Sequence, residues 1–515
     1  MDTPRYLGDF ARLTPDKPAV INGTTGEQLS FRELNERSNR LAHYLFEAGL
    51  RHGDRLGMFL ENNIRCFEVC WAALRSGLQV VPINRFLTPE ETAYIVNDSG
   101  ASALVTSWDR RETAQALAPL IPDCQERLML DGCIDGWKRY ESTIAGCSAE
   151  PLDEEWLGGL MLYSSGTTGR PKGIYKPMPK LPASHGLPVN PVFARCGFTQ
   201  DSVYLSTAPL YHSAPIGNAL NVQCVGATVV FMDKFDALHS LQLIERYRIS
   251  HSQWVPTMFV RLLRLSAEER GRYDLSSLKM ANHSAAPCPQ DIKRQMIDWW
   301  GPILIEYYGS TETGAATLLD SQQWLHHPGS VGAAITGVTL HICDDDGIEQ
   351  PLGTPGQIYI ERANTVYQYH NDLEKTREAQ HPAHPTWSCV GDIGYLDKDG
   401  YLYLTDRKTF MIISGGVNIY PQAIENALVM HADVGDVAVI GVPNAEMGEE
   451  VKAIVEPAPG VRPCAELATE LLAFLDGKIA RYMMPRSIEF TEALPRLPTG
   501  KLYKQKLREP YWPPA

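Results

Sequence analysis

Between residues 30 and 49 the chain reads SFRELNERSNRLAHYLFEAG, and Leu34, Leu41, Ala42 and Leu45 fall on one face of a 3.6-residue helix. Ser30 followed three residues later by Glu33 predicts a capping box at its start, and Gly49 predicts its stop. GDRLGMFLEN then predicts a strand, FEVCWAALRSG a helix and LQVVPIN a second strand. The rhythm returns at ALVTS, at ATVVFM and at ISHSQWVPTMFVRLLRL, with no fixed-period repeat. Helical and strand patterns in alternation predict an α/β protein.

After about residue 330 the segments become short and alternate with period two: TLHICDDDG, GQIYIER and GYLDKDGYLYLTD. Asp399-Gly400 between two such runs predicts a hairpin. A compact αβ region follows from near residue 409. There PQAIENALVMH and AELATELLAFLDGKIARY predict helices, and VGDVAVIGVP and VKAIVEP predict strands. No long Pro/Gly/Ser linker marks a boundary, so any hinge must be short.

With 515 residues, 44% hydrophobic and 21% charged, the composition is that of a globular chain rather than a disordered, collagenous or disulfide-scaffold one. The net charge of −14 argues against binding a nucleic-acid backbone or an anionic membrane surface. The 11 cysteines include no C-x-x-C pair, which predicts reduced thiols in a reducing compartment. Cys66 and Cys70, four apart on a predicted helix, lack the further ligands of a metal site and read as small buried residues. No signal-peptide pattern, transmembrane-length apolar run or C-terminal sorting signal occurs, so the expectation is a cytoplasmic protein without a transmembrane segment.

The densest chemical signal is LMLYSSGTTGRPKGI, residues 160–174. An apolar strand runs into Ser164, Ser165, Gly166, Thr167, Thr168 and Gly169, and Lys172 follows. Glycines let backbone N–H groups turn outward as an anion nest, and hydroxyls and a lysine add donors and positive charge, a combination suited to polyphosphate. The G-x-x-x-x-G-K-[ST] pattern of a P-loop is absent.

YSSGTTGRPKG resembles the phosphate loop of the adenylate-forming superfamily, which includes acyl- and aryl-CoA ligases, peptide-synthetase adenylation domains and beetle luciferases. Four further segments match in the family's order: YYGSTETG (307–314), VGDIGYLDKDGYLYLTDRK (390–408), ISGGVNIYPQAIE (413–425) and PRLPTGKLYK (495–504). The resemblance spans essentially the whole chain. It implies a large N-terminal domain of stacked αβ layers with a β-barrel-like subdomain, residues 1–407. A small mobile C-terminal α+β domain, residues 408–515, would follow.

The resemblance also implies roles. Thr167 and Lys172 join the phosphate loop in catalysis, with Ser164, Ser165, Gly166, Thr168 and Gly169 binding nucleotide. An aromatic face suits a purine and a carboxylate suits Mg²⁺; by resemblance Tyr308 stacks on adenine, Gly309 allows close approach, Thr311 touches the α-phosphate and Glu312 binds the metal. A carboxylate can accept from both hydroxyls of a diol, and by resemblance Asp392 holds the ribose with Arg407 beside it. Lys501, in Pro-Thr-Gly-Lys, bridges the substrate carboxylate and the α-phosphate, stabilising charge that develops in the transition state. Ser414, Gly415 and Gly416 face the site for the second step. APLYHSAP and NHSAAPC supply the substrate pocket through Tyr211, His212, His283, Ala285 and Ala286, with Tyr211 and His212 near the substrate carboxylate, His212 counted among the catalytic residues, and His283 larger and more polar than the glycine common in such stretches. The hinge, usually Asp or Lys in the superfamily, is here Thr409.

The implied reaction uses ATP, Mg²⁺ and a carboxylic acid to form an acyl-adenylate, which coenzyme A then captures as a thioester. The acyl segment APLYHSAPIGNAL holds no Asp or Glu to pair an α-ammonium, so the expected acid is apolar: fatty, aryl or steroid-type. The alternative acceptor is a separate carrier protein. A nucleotide-binding protein without catalysis is disfavoured by Glu312, Asp392 and Lys501, a P-loop kinase by the missing loop, and a luciferase-like oxygenase is left open by the motifs. A homodimer is left open as an assembly.

Overall fold

A computed structural model describes the chain except residues 1–4, 165–170, 179, 189–190, 364–366, 408–409, 416, 497–501 and 513–515, and the side chains at 406 and 407. The expected residues Ser165, Gly166, Thr167, Thr168, Gly169, Thr409, Gly416 and Lys501, and the Arg407 side chain, therefore lie outside the described residues. The chain divides into two compact units.

The first unit comprises Met1–Ser284, Ile292–Gln322 and Val366–Glu378. One of its sheets is wholly parallel, in the order Lys138–Arg139, Glu126–Leu130, Ala101–Ser107, Arg55–Phe59, Gln79–Pro82, Gly159–Leu160. A second set runs parallel from Pro18–Asn22 through Thr228–Phe231, Val203–Ser206, His251–Trp254 and Met280–His283 to Leu304–Ser310. It ends in antiparallel partners on both sides, Gln28–Ser30 and Gly314–Asp320. Strands Leu162–Ser164, Lys172–Tyr175 and Gln368–Tyr369 make a third, antiparallel sheet.

The helix predicted over 30–49 spans Phe31–Glu47, and its capping box forms: the Ser30 hydroxyl accepts from the Glu33 N–H and the Glu33 carboxylate accepts from the Ser30 N–H. Leu34, Leu41, Ala42 and Leu45 are fully buried, and Gly49 follows at φ +97°, a conformation that favours glycine. Helix Arg65–Arg75 is buried almost all round, with Cys66 and Cys70 inside the main apolar core as free thiols. Its last residue, Arg75, is enclosed but satisfied: the guanidinium pairs with Glu155 at 3.1 Å and donates to the Tyr6 hydroxyl at 2.8 Å.

The second unit comprises Ala285–Asp291, Gln323–Thr365 and Ala379–Ala515. Strands Gly332–Ala334, Thr339–Cys343, Gly356–Glu361, Asp392–Leu396 and Tyr401–Arg407 pair antiparallel in the order 339, 356, 392, 401, 332 by first residue. The Asp399-Gly400 hairpin forms with Gly400 at φ +81°. Residues 412–490 build a separate five-stranded sheet, with helices Pro421–Leu428 and Ala465–Leu475 packed on it around Val437, Val439, Ala453 and Leu471. The second helix stops seven residues before the end of its predicted pattern, because Asp476 turns extended and Gly477 takes φ +72°. No described helix is long and apolar enough to cross a membrane.

Candidate active site

The phosphate-loop segment closes a hairpin. Strand Leu162–Ser164 returns antiparallel as Lys172–Tyr175, so that Ser164 stands opposite Lys172. The Lys172 ammonium lies over the ring of Tyr369, 4.9 Å from its centroid.

Tyr308, Gly309, Thr311 and Glu312 sit on or just past strand Leu304–Ser310, at its turn into Gly314–Asp320. The register shifts between Tyr308 and Gly309, and a Cβ on Gly309 would stand 2.1 Å from the Gly314 carbonyl, so the hairpin itself demands glycine there. The Ser310 hydroxyl accepts from the Thr313 N–H at 3.0 Å and fixes the turn. Lys176 donates to the Thr311 carbonyl at 3.3 Å. Tyr308 is buried. Glu312 is only 8% exposed; one oxygen accepts from the Tyr369 hydroxyl at 3.2 Å, and among the described residues the carboxylate forms no ion pair. A buried carboxylate oriented by a neutral donor and lacking a cationic neighbour is a fitting ligand for a hard divalent cation, which would supply the missing charge.

The segment APLYHSAP enters helix Ser213–Gln223, with His212 at its N-cap and the Tyr211 and His212 rings 4.4 Å apart. Burial pushes the His212 imidazole down to about 3, so it is neutral at physiological pH, and burial raises the Tyr211 phenol. Neither the Tyr211 hydroxyl nor His212 Nε2 meets a hydrogen-bond partner among the described residues.

The parallel register sets residues 282 and 283 on opposite faces of the sheet. Gln253 and Asn282 stand side by side on one face, with Ile305 next in the row. The Tyr204 hydroxyl and Asn218 Nδ2 both donate to Gln253 Oε1, at 2.8 and 3.0 Å, which puts helix Ser213–Gln223 on this face; Asn282 Oδ1 meets no hydrogen-bond partner among the described residues. On the other face Trp254, His283 and Glu306 form a row. His283 is completely enclosed, edge-on to Phe259 at 5.3 Å, and its Nε2 stops 3.8 Å from Glu306, whose carboxylate pairs with Lys293 at 2.5 Å. Neither His283 ring nitrogen has a hydrogen-bond partner among the described residues, and burial drives its pKa well below the ordinary value. Ala285 is exposed at φ +76°, and Ala286 is half-buried.

In the second unit Asp392 is buried at the start of its strand, after Gly391 at φ +81°, and stands directly opposite Arg407. The sequence placed these two together, and the strand register does so as well. Ser414 and Gly415 end strand Ile412–Ser414 at its turn into Val417–Ile419. Gly415 takes φ +56° and donates its N–H to the Met447 carbonyl at 2.8 Å, beside the exposed side chains of Ile413, Val417 and Met447.

Sequence reasoning missed Tyr369, Lys176 and the Lys293–Glu306 pair. Only Tyr369 left a trace, as the second tyrosine of the alternating run YQY.

Residues 7–370 match the AMP-binding enzyme family, and residues 423–501 match the AMP-binding enzyme C-terminal domain. Feruloyl-CoA synthase of an Amycolatopsis species is 34% identical over 97% of this chain and 96% of its own length. The fatty acid–[acyl-carrier-protein] ligase ScoC of Streptomyces coeruleorubidus is 28% identical over 98% and 95%. The ATP-bound chimera B1 of RpMatB and BxBclM is a solved structure that superposes with a TM-score of 0.81 at 29% identity, over 98% of this chain and 99% of that one.

Proposed function

We propose, from the premise that the chain belongs to the AMP-binding enzyme family, that it is an ATP-dependent acid–CoA ligase that forms AMP. The observation that carries this reading is the meeting of Lys172 and a buried Glu312, which forms no ion pair among the described residues, on one tyrosine, within a chain similar along its length to acyl- and aryl-CoA ligases.

In the first half-reaction a substrate carboxylate oxygen attacks the α-phosphorus of ATP, and the bond to pyrophosphate breaks. In the second, a CoA thiolate attacks the acyl carbon and AMP leaves with the electron pair. Lys172 and the hydroxyls of Ser164, Ser165, Thr167 and Thr168 bind the phosphates, Tyr308 the adenine, and Asp392 with Arg407 the ribose. Glu312 holds Mg²⁺, which when bound neutralises phosphate charge. Lys501 contributes its ammonium at the reacting carboxylate and α-phosphate, a fixed charge placed where charge develops. The acyl-adenylate is hydrolysis-prone, so the site must exclude water. The segment around Ser414–Gly416 serves the thioester step, with the chain pivoting near Thr409 between residues 1–407 and 408–515.

The acid is apolar and lacks an α-amine. Tyr211, Ala214, Ile216, Ala285 and Ala286 supply apolar and aromatic surface, and neutral His212 supplies no charge to the pocket. The likeness to ScoC supports a second reading, in which a carrier-protein thiol replaces CoA. A panel of carboxylic acids assayed for AMP release with ATP and either CoA or a phosphopantetheinylated carrier tests both. Acid-dependent AMP formation with CoA supports the first reading; release only with a carrier supports the second; ADP formation overturns both.

A further inference from the structure

Tyr369 lies in a two-residue strand that pairs antiparallel with Lys172–Tyr175, Tyr369 opposite Ile174 and Gln368 opposite Tyr175. Its backbone is fixed on the far side as well. The Tyr369 N–H donates to the Thr376 hydroxyl at 2.9 Å, which donates in turn to the Asp372 carbonyl at 2.8 Å. Tyr367 packs edge-on against the ring, centroids 5.4 Å apart. The side chain is therefore held, 8% exposed, and its two chemically distinct parts meet different groups. The hydroxyl donates to Glu312 Oε1 at 3.2 Å, and the ring face carries the Lys172 ammonium at 4.9 Å. A phenol ordinarily titrates at about 10, so at neutral pH the hydroxyl is an uncharged donor.

A neutral donor has one advantage over a lysine or arginine at this place. It orients the carboxylate through one oxygen and leaves the negative charge unspent for a cation, whereas an ammonium would compete with that cation. The ring quadrupole acts likewise on Lys172, attracting the ammonium without neutralising it. We infer that Tyr369 is a positioning residue that holds Glu312 for the divalent cation accompanying ATP and Lys172 for its phosphates. This rests on the roles given to Glu312 and Lys172 in the reading above.

The test uses the full-length protein with Mn²⁺ as probe and a non-hydrolysable ATP analogue, read by electron paramagnetic resonance and calorimetry, with thermal melting as the fold control. Y369F removes only the hydroxyl. It should weaken Mn²⁺ retention in the ternary complex by on the order of 10-fold, the effect of one lost hydrogen bond to a charged group, and leave metal-free nucleotide binding within about 2-fold. Y369L also removes the ring face and should weaken metal-free nucleotide binding by about a further 3-fold. E312Q should lose Mn²⁺ affinity, and adding Y369F to it should change nothing more. Wild-type Mn²⁺ affinity in a well-folded Y369F, with E312Q impaired, would overturn the role of the tyrosine alone. A metal-binding defect in Y369F that follows its loss of thermal stability and is matched in Y369L would make the residue merely structural. Unchanged Mn²⁺ affinity in E312Q would overturn the metal assignment itself, and this inference with it.

Discussion

Glu312 and Lys172 share one tyrosine, the hydroxyl on the carboxylate and the ring under the ammonium, whereas Tyr211, His212 and Asn282 carry buried polar atoms that meet no partner among the described residues. Both sets belong to the first unit. Leaving a buried donor or acceptor unmade costs about 1 to 3 kcal/mol per group. At Glu312 and Lys172, which the proposed function assigns to the nucleotide, that cost is avoided, because the groups are oriented before any ligand arrives, as electrostatic catalysis requires. At Tyr211, His212 and Asn282 it is carried in the free protein. Under the proposed function the acyl substrate's own atoms would supply those missing partners, and a substrate that leaves them unmet, or brings an unpaired charge, would gain nothing there.

The largest expected effect sharpens the nucleotide side of this contrast. Lys501→Ala should slow acyl-adenylate formation by at least on the order of 10²- to 10³-fold, the loss seen when a preorganised donor is removed, and should spare thioester formation from supplied acyl-AMP. Near-normal pyrophosphate release by the variant would remove the lysine from the reacting centre.

Next comes discrimination on the acyl side. Burying an α-ammonium without a carboxylate partner costs several kcal/mol. An α-amino acid should therefore be activated at least about 100-fold less well than its deamino analogue, the penalty of ~3 kcal/mol. Comparable AMP release with phenylalanine and 3-phenylpropionate would place an acidic partner in the pocket.

A smaller effect concerns pH. His212 is depressed from 6.5 to about 3, so above pH 6.5 it is neutral both folded and unfolded. Below that value the unfolded chain takes up a proton that the folded one refuses, and this group's contribution to stability is lost as pH falls from 6.5 towards 3. His212→Asn should flatten the acid limb of the thermal-melting profile in that window. For the wild type, the KM for the acid should show no titration near 6.5; an inflection there that disappears in His212→Asn would mean a charged imidazole greets the carboxylate.

The smallest effect breaks the comparison most finely. If His283 is neutral and unpartnered, replacing it with leucine should leave stability unchanged or raise it by about 1 kcal/mol, because only an unsatisfied group is removed. A loss of 3 to 5 kcal/mol in denaturant unfolding would instead mark it as the charged partner of Glu306.

What the sequence made legible follows from the range of the forces involved. The helix Phe31–Glu47 was readable because its cap and its apolar face are set within one turn of each residue. The Asp399-Gly400 hairpin was readable for the same reason. Helix Ala465–Leu475 was overrun because its apolar pattern continues past Gly477, where the backbone turns. Tyr369 could not be read, since its meaning arises only when a two-residue strand pairs with one nearly 200 residues earlier and a third segment brings Glu312 to its hydroxyl. Asn282 and His283 differ for a similar reason: adjacent in sequence, they point to opposite faces of one strand, and only the register with residues 253 and 254 shows which neighbours each has.

Acid-dependent exchange of labelled pyrophosphate into ATP, measured without CoA, tests the central claim most directly. The account predicts exchange for apolar acids that needs Mg²⁺, vanishes in Lys501→Ala and gives way to AMP and thioester once CoA is added. Thioester formation without any pyrophosphate exchange, or cleavage of ATP to ADP and phosphate, would contradict it.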